Sequence, residues 1–120
     1  MKKLFSILCA LPVLFSCDGG PGTTLKTDVC IYGGTSAAVT AAKAAALEGR
    51  NVVIICPDPT LGGMTTGGLG ATDIGNKQAI IGMAREFYRD LGKYYGTDEQ
   101  WTFEPHVAED ILMGYLDDPH

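Results

Sequence analysis

A glycine turn between a predicted strand and a predicted helix constrains this chain more than any other feature. Residues 28–32 (DVCIY) form strands readily and do not alternate in polarity, which is typical of a strand buried on both faces. They lead into the turn at residues 33–35 (GGT), and an alanine-rich helix is predicted over residues 37–47, with Gly49 as its left-handed cap. Residues 51–56 (NVVIIC) predict a second buried strand. This order predicts a parallel βαβ unit and therefore an α/β fold.

The turn at the start of the helix has the pattern of a phosphate-binding turn. A helix N-terminus presents N–H groups without partners and about half a positive charge, which together hold a pyrophosphate. The motif reads G-x-T-x-x-A, in which Gly33 permits the tight turn, Thr35 stands where a second glycine is usual, and Ala38 takes the third position. The hydroxyl groups of Thr35 and Ser36 could donate to a phosphate. The alternative is an α/β crossover whose tight turn holds no ligand.

The end of the second predicted strand lacks the acidic residue that usually binds a ribose. That residue is expected about twenty residues after the turn. Cys56 takes the usual acidic position, and Pro57 and Asp58 follow it. Two interpretations stay open, because either Asp58 reaches the ribose from the turn or backbone and water make the contact.

A second glycine-rich segment, LGGMTTGGLG at residues 61–70, follows the second strand almost immediately. An NAD-binding domain would normally place another helix there, so NAD(P) binding is the less favoured alternative. Taken together, the sequences DVCIYGGTSAAVTAAKAA, LGGMTTGGLGATDIGNK and FEPHVAED resemble the start of the bacterial FAD-dependent oxidoreductase family, some of whose members are labelled xanthan lyase. The resemblance covers about residues 28–118, which is nearly all of the chain that would follow the predicted signal peptide. It implies a Rossmann-like FAD-binding βαβ unit of the glutathione-reductase type, with FAD as the cofactor.

The resemblance also implies which residues bind FAD. The pyrophosphate would lie beside the first turn, and the second glycine segment would run along the pyrophosphate and ribityl chain towards the isoalloxazine ring. The residues that follow the second strand would edge the adenosine ribose. The implied cofactor-binding residues are Gly33, Gly34, Thr35, Ser36, Ala37, Ala38, Cys56, Pro57, Asp58, Gly62, Gly63, Met64 and Thr65. A flexible surface loop is the alternative for the second segment, and no catalytic residue is assigned.

Two amphipathic helices are predicted downstream. The first covers residues 77–95 and ends at Gly96, and its buried stripe is Ile80, Ala84, Phe87 and Leu91. The second begins at Pro105, which suits a first helical turn, and it runs to residue 117. Its apolar side is formed by Val107, Ala108, Ile111, Leu112 and Tyr115.

Three residues near the second helix have alternative interpretations. Trp101 and Phe103 lie in the connection between the two helices, and we expect buried packing rather than stacking on a substrate. His106 stands in the FEPH segment, which resembles a fixed element near the cofactor in the family. A histidine that is exposed or satisfied by a partner is the favoured interpretation, and a catalytic histidine is the alternative.

The first residues have the pattern of an export signal. A basic start at residues 1–3 precedes an apolar stretch at residues 4–15, and residues 14–17 (LFSC) resemble a bacterial lipobox. We therefore expect a lipoprotein signal peptide at residues 1–16, lipid on Cys17 and a flexible tether at residues 17–27. An ordinary secretory signal with an incidental cysteine is the alternative. The expected location is the cell envelope, in the periplasm or at the outer membrane, with the lipid as the only contact with the membrane.

Charge and cysteine content exclude further classes of function. The formal net charge of −5 argues against nucleic acid, whose binders need a basic face. No His, Cys, Asp or Glu set has metal-ligand spacing. After export, Cys30 and Cys56 remain, and their place inside the predicted strands predicts two buried thiols rather than a disulfide.

The expected activity is hydride transfer between the flavin N5 and a small-molecule substrate. A non-catalytic lipoprotein with a relict nucleotide-binding fold is the alternative from another class. We expect residues 28–120 to be the N-terminal part of a longer FAD-binding domain, incomplete at the C-terminus, in which a third parallel strand follows residue 117. On that expectation the chain of 120 residues is inactive alone. The sequence leaves the substrate, the electron acceptor and the oligomeric state open.

Overall fold

The computed structural model describes residue 22 and residues 24–117. The predicted signal peptide, Cys17 and the first part of the tether lie outside these residues, as does the third strand predicted beyond residue 117. The elements follow the order β1 (Val29–Tyr32), α1 (Ser36–Leu47), β2 (Val52–Ile55), α2 (Gly82–Tyr95) and α3 (Pro105–Asp117), with short 3-10 turns at Gly63–Thr65 and Lys77–Ala79.

Strands β1 and β2 form a parallel pair that confirms the predicted βαβ unit. Val29 lies opposite Val52, and Tyr32 lies opposite Ile55. Two parallel neighbours need a crossover connection, and α1 supplies it. Gly49 follows α1 with φ +73, the left-handed conformation predicted for it. The described residues therefore adopt a Rossmann-like α/β fold.

The core lies between the three helices. Helix α1 contacts both strands and α3, and α3 also contacts α2. Small buried residues of α1, among them Ala38 and Ala42, allow its backbone to lie close to its neighbours. The core cluster consists of Val39, Phe87, Leu91, Phe103, Val107, Ala108, Leu112 and Tyr115. Helix α3 packs against both α1 and α2, and it also contacts the 3-10 turn at Gly63–Thr65 in the segment between those two helices.

The strands are not buried on both faces, so that prediction is wrong. Residues of β1 alternate between half-buried and exposed, and the Tyr32 side chain is 78% exposed. Helix α1 covers one face of the pair, and among the described residues no element covers the other. Cys30 is consequently exposed, and Cys56, which lies just after β2 and not inside it, is half-buried, so the prediction of two buried thiols is also wrong. Both thiols are free.

Helix α2 begins later than predicted, at Gly82 rather than at residue 77. Asn76 caps a separate 3-10 turn by accepting a hydrogen bond from the Gln78 N–H over 3.0 Å. Extended backbone follows at Ile80, which therefore lies outside the helix. The Lys77 carbonyl oxygen accepts from the Ile80 N–H within this turn over 3.2 Å, and the guanidinium group of Arg85 donates to the same oxygen over 2.6 Å.

The predicted buried stripe of α2 is correspondingly shorter. Phe87 and Leu91 are buried, whereas Ala84 is exposed. The predicted end is confirmed, because Gly96 has φ +74 and its N–H donates to the Gly92 carbonyl oxygen.

The connection between α2 and α3 packs as predicted. Trp101 and Phe103 are buried, with 6% and 7% of their surfaces exposed, and Tyr88 stacks on Trp101 with 3.8 Å between the ring centroids. Helix α3 has the predicted bounds, and Val107, Ala108, Leu112 and Tyr115 are its buried residues. Within the part of the chain that the structure describes, no helix has the length and apolarity needed to cross a membrane.

Candidate functional site

The two glycine segments meet at the start of α1. The N–H of Gly62 donates to the carbonyl oxygen of Gly34 over 2.6 Å, and Gly62 forms an isolated parallel bridge with Thr35. The N–H of Gly33 donates to the Ile55 carbonyl oxygen at the end of β2 over 2.9 Å. The meeting point therefore lies at the carboxyl edge of the parallel strands, where α/β sheets bind their ligands.

The first turn of α1 offers donors to an anion. The Thr35 side chain accepts a hydrogen bond from the Ala38 N–H over 3.3 Å, and the Thr35 carbonyl oxygen accepts one from the Val39 N–H over 3.1 Å. The first N–H groups of a helix have no partner within it. That of Ser36 faces the Gly62 carbonyl oxygen across the isolated bridge, which leaves that of Ala37 at the open end. The first turn contains no acidic residue. A helix end of this kind favours a negatively charged group.

Thr35 has a capping role that the sequence interpretation missed. The signal was present, because a threonine immediately before the first helical residue is a preferred N-cap. Its backbone is extended, with φ −70 and ψ 164, so this position does not require glycine. Gly33 does require it, since its φ is +114, and a side chain there would still meet no atom within 4 Å. The turn thus leaves bare backbone facing open space beside Gly33.

Close packing explains two further glycines. A methyl group on Gly34 would overlap the Sγ atom of Cys56 and lie 3.0 Å from a methyl group of Leu61. A methyl group on Gly62 would overlap the Thr66 side chain, and the φ of Gly62 is +106. Gly62 is buried. These two residues allow the second glycine segment to lie directly against the first.

A groove extends from the start of α1 along the second glycine segment. One cleft of about 260 Å³ is lined by Ser36, Ala37, Thr40, Thr65, Ala84, Phe87, Tyr88 and Leu112. A second, of about 220 Å³, shares Thr65 and Tyr88 with it and reaches Gly70 and Thr72. The Thr65 hydroxyl donates to the Ser36 hydroxyl oxygen over 3.4 Å. The first cleft thus combines hydroxyl groups with an apolar wall and has no carboxylate in its lining.

The residues after β2 lie beside a separate cleft of about 660 Å³. Cys56, Asp58 and Glu109 contribute to its walls. The Cys56 Sγ lies 3.3 Å from the Asp58 carbonyl oxygen and 3.7 Å from that of Thr60, so the thiol is engaged within its own loop. Pro57 and Asp58 are exposed. Both interpretations of ribose binding, through the Asp58 side chain or through backbone and water, remain compatible with this geometry.

The remaining candidates lie at the surface. Gly63 is exposed with φ +58, and the Met64 side chain is 78% exposed. His106 is exposed at the second position of α3, which agrees with the favoured interpretation of this residue. Within the described residues, no group of three or more His, Cys, Asp or Glu side chains could hold a metal ion.

The geometry at the start of α1 fits the diphosphate of a dinucleotide. N–H groups and hydroxyl groups supply hydrogen-bond donors, the helix end supplies partial positive charge, and the lining of the adjoining cleft contains no acidic side chain. Bare glycine backbone at Gly33 allows a ligand to approach closely.

One family model matches the chain, that of the FAD dependent oxidoreductases, over residues 28–120. No curated protein and no solved structure matches it. Because the matched residues make up more than half of the chain, the protein belongs to the family of FAD-dependent oxidoreductases, and its cofactor is FAD. The family predicted from the three motifs is thereby confirmed, while the xanthan lyase label receives no support.

Proposed function

We propose that the two glycine segments hold the diphosphate of FAD in an exported, lipid-anchored oxidoreductase that acts on a small molecule. The hydrogen bond from the Gly62 N–H to the Gly34 carbonyl oxygen carries this proposal, because it brings both segments to the N-terminus of α1. FAD supplies the hydride chemistry through its flavin ring when it is bound. The residues of the chain bind the cofactor, orient it and limit the access of water.

In this proposal the first turn binds the diphosphate. The N–H group of Ala37 donates to a phosphate oxygen, and the hydroxyl groups of Ser36 and Thr65, which are hydrogen-bonded to each other, lie at the same helix end. Donors fixed in advance by a helix lose little entropy on binding, which favours affinity. Gly33 contributes by leaving its side of the turn open.

The second glycine segment then directs the rest of the cofactor along the groove. Thr65 and Tyr88 line both clefts, so the two clefts adjoin at these residues and could hold successive parts of one ligand. Phe87 and Leu112 give the first cleft an apolar wall, and Phe103 lines the second. These apolar side chains suit the flat flavin ring, and Asp73 and Thr72 give the second cleft a polar side as well. The adenosine ribose is proposed to lie at the other end, near Cys56, Pro57 and Asp58.

Two substitutions in α1 test the site. In the full-length protein, Ala38→Glu should abolish FAD retention, because Ala38 is buried in the first turn and a carboxylate there would disturb packing and repel the diphosphate. Ala41→Glu is the matched control, since Ala41 is exposed on the same helix. We expect the control to keep FAD, as measured by absorbance and by chromatography of the cofactor released on denaturation. Recovery of NAD in place of FAD from the wild type would contradict the proposal.

Export and anchoring complete the proposal and depend on the N-terminal sequence. Residues 14–17 (LFSC) resemble the signal at which a diacylglycerol is attached to cysteine before cleavage. Two or three acyl chains hold a protein stably on a membrane, at about 0.8 kcal/mol for each buried methylene. The net charge of −5 supports a small-molecule substrate over nucleic acid.

A further inference from the structure

We infer that Glu109 of α3 is a positioning residue for the cofactor site. Its Oε1 atom accepts a hydrogen bond from the Leu61 N–H over 3.1 Å, across 48 residues of sequence. Leu61 immediately precedes Gly62, whose own N–H binds Gly34. The carboxylate thereby holds the second glycine segment against the start of α1. This inference rests on the proposed function, in which Gly34 and Gly62 lie beside the diphosphate of FAD.

Side chains make hydrogen bonds with both polar groups of the Leu61 backbone. Glu109 accepts from its N–H, and the Thr66 hydroxyl donates to its carbonyl oxygen over 2.5 Å. Leu61 belongs to neither strand, so no sheet ladder fixes its position. The segment before Gly62 is therefore held by two side chains, and of these only Glu109 comes from another element of the fold.

Helix α3 contacts the same segment a second time, one turn beyond Glu109. A methyl group built on Gly62 would lie 2.9 Å from a methyl group of Leu112, which is fully buried. Residues three apart share a helix face, so Glu109 and Leu112 both face the second glycine segment. Leu112 packs against Gly62, and Glu109 fixes the backbone immediately before it.

The packing of α3 does not depend on the Glu109 carboxylate. Val107, Ala108 and Leu112 are almost completely buried in the core, whereas Glu109 is half-buried beside the cleft. Removing the carboxylate should therefore leave α3 in place and release the Leu61 N–H. Without the carboxylate, the half-buried Leu61 N–H has to bond water or another acceptor. The resulting movement of the backbone should loosen the contact between Gly62 and Gly34. The expected consequence is weaker FAD binding with little change in the stability of the fold.

The test compares Glu109→Leu with Glu109→Gln in the full-length protein. Glutamine keeps a side-chain oxygen that can accept from the Leu61 N–H, whereas leucine removes the acceptor and puts an apolar side chain of similar size in its place. We expect Glu109→Leu to raise the Kd for FAD about tenfold and Glu109→Gln to change it by less than about twofold. Asp117→Leu removes an exposed carboxylate at the end of α3, outside the lining of the cleft, and should leave the Kd unchanged.

Two measurements distinguish a positioning role of Glu109 from a general effect on the stability of the fold and from direct contact with the cofactor. Glu109→Leu should release FAD faster than the wild type does. Its apoprotein should have a melting temperature close to that of the wild-type apoprotein. If Glu109→Leu unfolds the apoprotein, or binds FAD as the wild type does, the inference is wrong. If Glu109→Gln loses as much affinity as Glu109→Leu, the charge itself contacts the cofactor and the positioning role is overturned. A wild type that binds no FAD would overturn both this inference and the proposed function.

Discussion

The N–H of Gly62 donates to the carbonyl oxygen of Gly34 over 2.6 Å and joins two glycine segments that the sequence separates by a helix and a strand. Both residues lack a side chain where one would collide with a neighbour. The contact brings the second segment alongside the helix end that favours anions. The proposed mode of FAD binding requires this contact.

Gly34→Ala should destabilise the full-length protein and weaken FAD binding. The added methyl group would overlap the Cys56 Sγ atom, and overpacking of this kind costs about 1–3 kcal/mol in the free energy of unfolding. If the overlap is the cause, adding Cys56→Ala should recover at least about 0.5 kcal/mol relative to the sum of the single effects. Urea denaturation of the single and double variants measures this coupling.

Gly114→Ala is the matched control for that experiment. A methyl group at Gly114, in the last part of α3, meets no atom within 4 Å and requires no positive φ. Alanine at a helical position is more stable than glycine by about 0.5–1 kcal/mol. We expect the control to gain stability and to bind FAD normally. A decrease in the free energy of unfolding for Gly114→Ala equal to that for Gly34→Ala would contradict the steric explanation.

Substitutions of Thr35 should separate helix capping from anion binding. Thr35→Val removes the oxygen that accepts from the Ala38 N–H and should lower the free energy of unfolding by about 1 kcal/mol. Thr35→Asp keeps a capping oxygen and adds a negative charge where the diphosphate is proposed to bind. It should melt like the wild type but raise the Kd for FAD at least about tenfold. Thr35→Ser is the control that preserves both properties. Unchanged FAD affinity in Thr35→Asp would contradict a diphosphate at this end of α1.

The local parts of the fold could be predicted because their signals are contiguous in sequence. Strand residues, Gly33 and the alanine-rich run together specified the βαβ unit, and Gly49 and Gly96 marked helix ends through their need for positive φ. The bounds of α3 followed from Pro105 and the spacing of its apolar residues. Each of these features depends on residues that lie close together in the sequence.

The features that the sequence did not predict depend on tertiary contacts. The burial of Cys30 depends on what covers its face of the sheet, and a strand pattern without alternation does not contain that information. The start of α2 depends on Arg85, which bonds carbonyl oxygens of the preceding turn. The bond between Glu109 and Leu61 joins residues 48 apart, and no local periodicity indicates it. The sequence motifs assign both glycine segments to the cofactor, but the direct contact between the two segments is visible only in the structure.

Acidification should weaken the contact between α2 and α3. Tyr115 donates to the Asp90 Oδ2 atom over 2.6 Å, and the Lys93 ammonium donates to Oδ1 over 2.7 Å. Burial alone would raise the pKa of Asp90, but the hydrogen bonds from Lys93 and Tyr115 and the charges of Lys93 and Lys43 outweigh it and lower the pKa below its ordinary value of 3.8. Burial and the Asp90 carboxylate raise the pKa of Tyr115, which keeps it a neutral donor.

The sign of the pH effect follows from the lowered pKa of Asp90. Its ionised form stabilises the fold at pH values above 3.8, and this contribution is lost as the pH falls through the lower pKa of the folded state. Asp90→Asn should therefore be less stable than the wild type at pH 7, by about 1–3 kcal/mol. The difference should shrink as the pH falls below about 4. Urea denaturation over this range measures it, with Asp98→Asn, at an exposed position, as the control. A difference that stays constant with pH would contradict this role of Asp90.

Cys17 should carry the lipid if residues 14–17 act as a lipobox. Cells labelled with a radioactive fatty acid should incorporate it into the wild type and not into Cys17→Ser. Cys30→Ser is the control, because Cys30 is exposed and would accept an adventitious label. Equal labelling of the wild type and Cys17→Ser would contradict lipidation at this residue.

Displacement of FAD by ADP and by adenosine tests whether the start of α1 holds the diphosphate. The two competitors share the adenine and the ribose and differ only in the diphosphate. The ratio of the concentrations at which they displace FAD therefore measures the contribution of the helix end at Ser36 and Ala37. If these residues hold the diphosphate, ADP should displace FAD from the full-length protein at concentrations at least about a hundredfold lower than adenosine. Thr35→Asp should reduce that ratio. Equal displacement by ADP and adenosine would contradict a diphosphate site between Gly34, Gly62 and the first turn of α1.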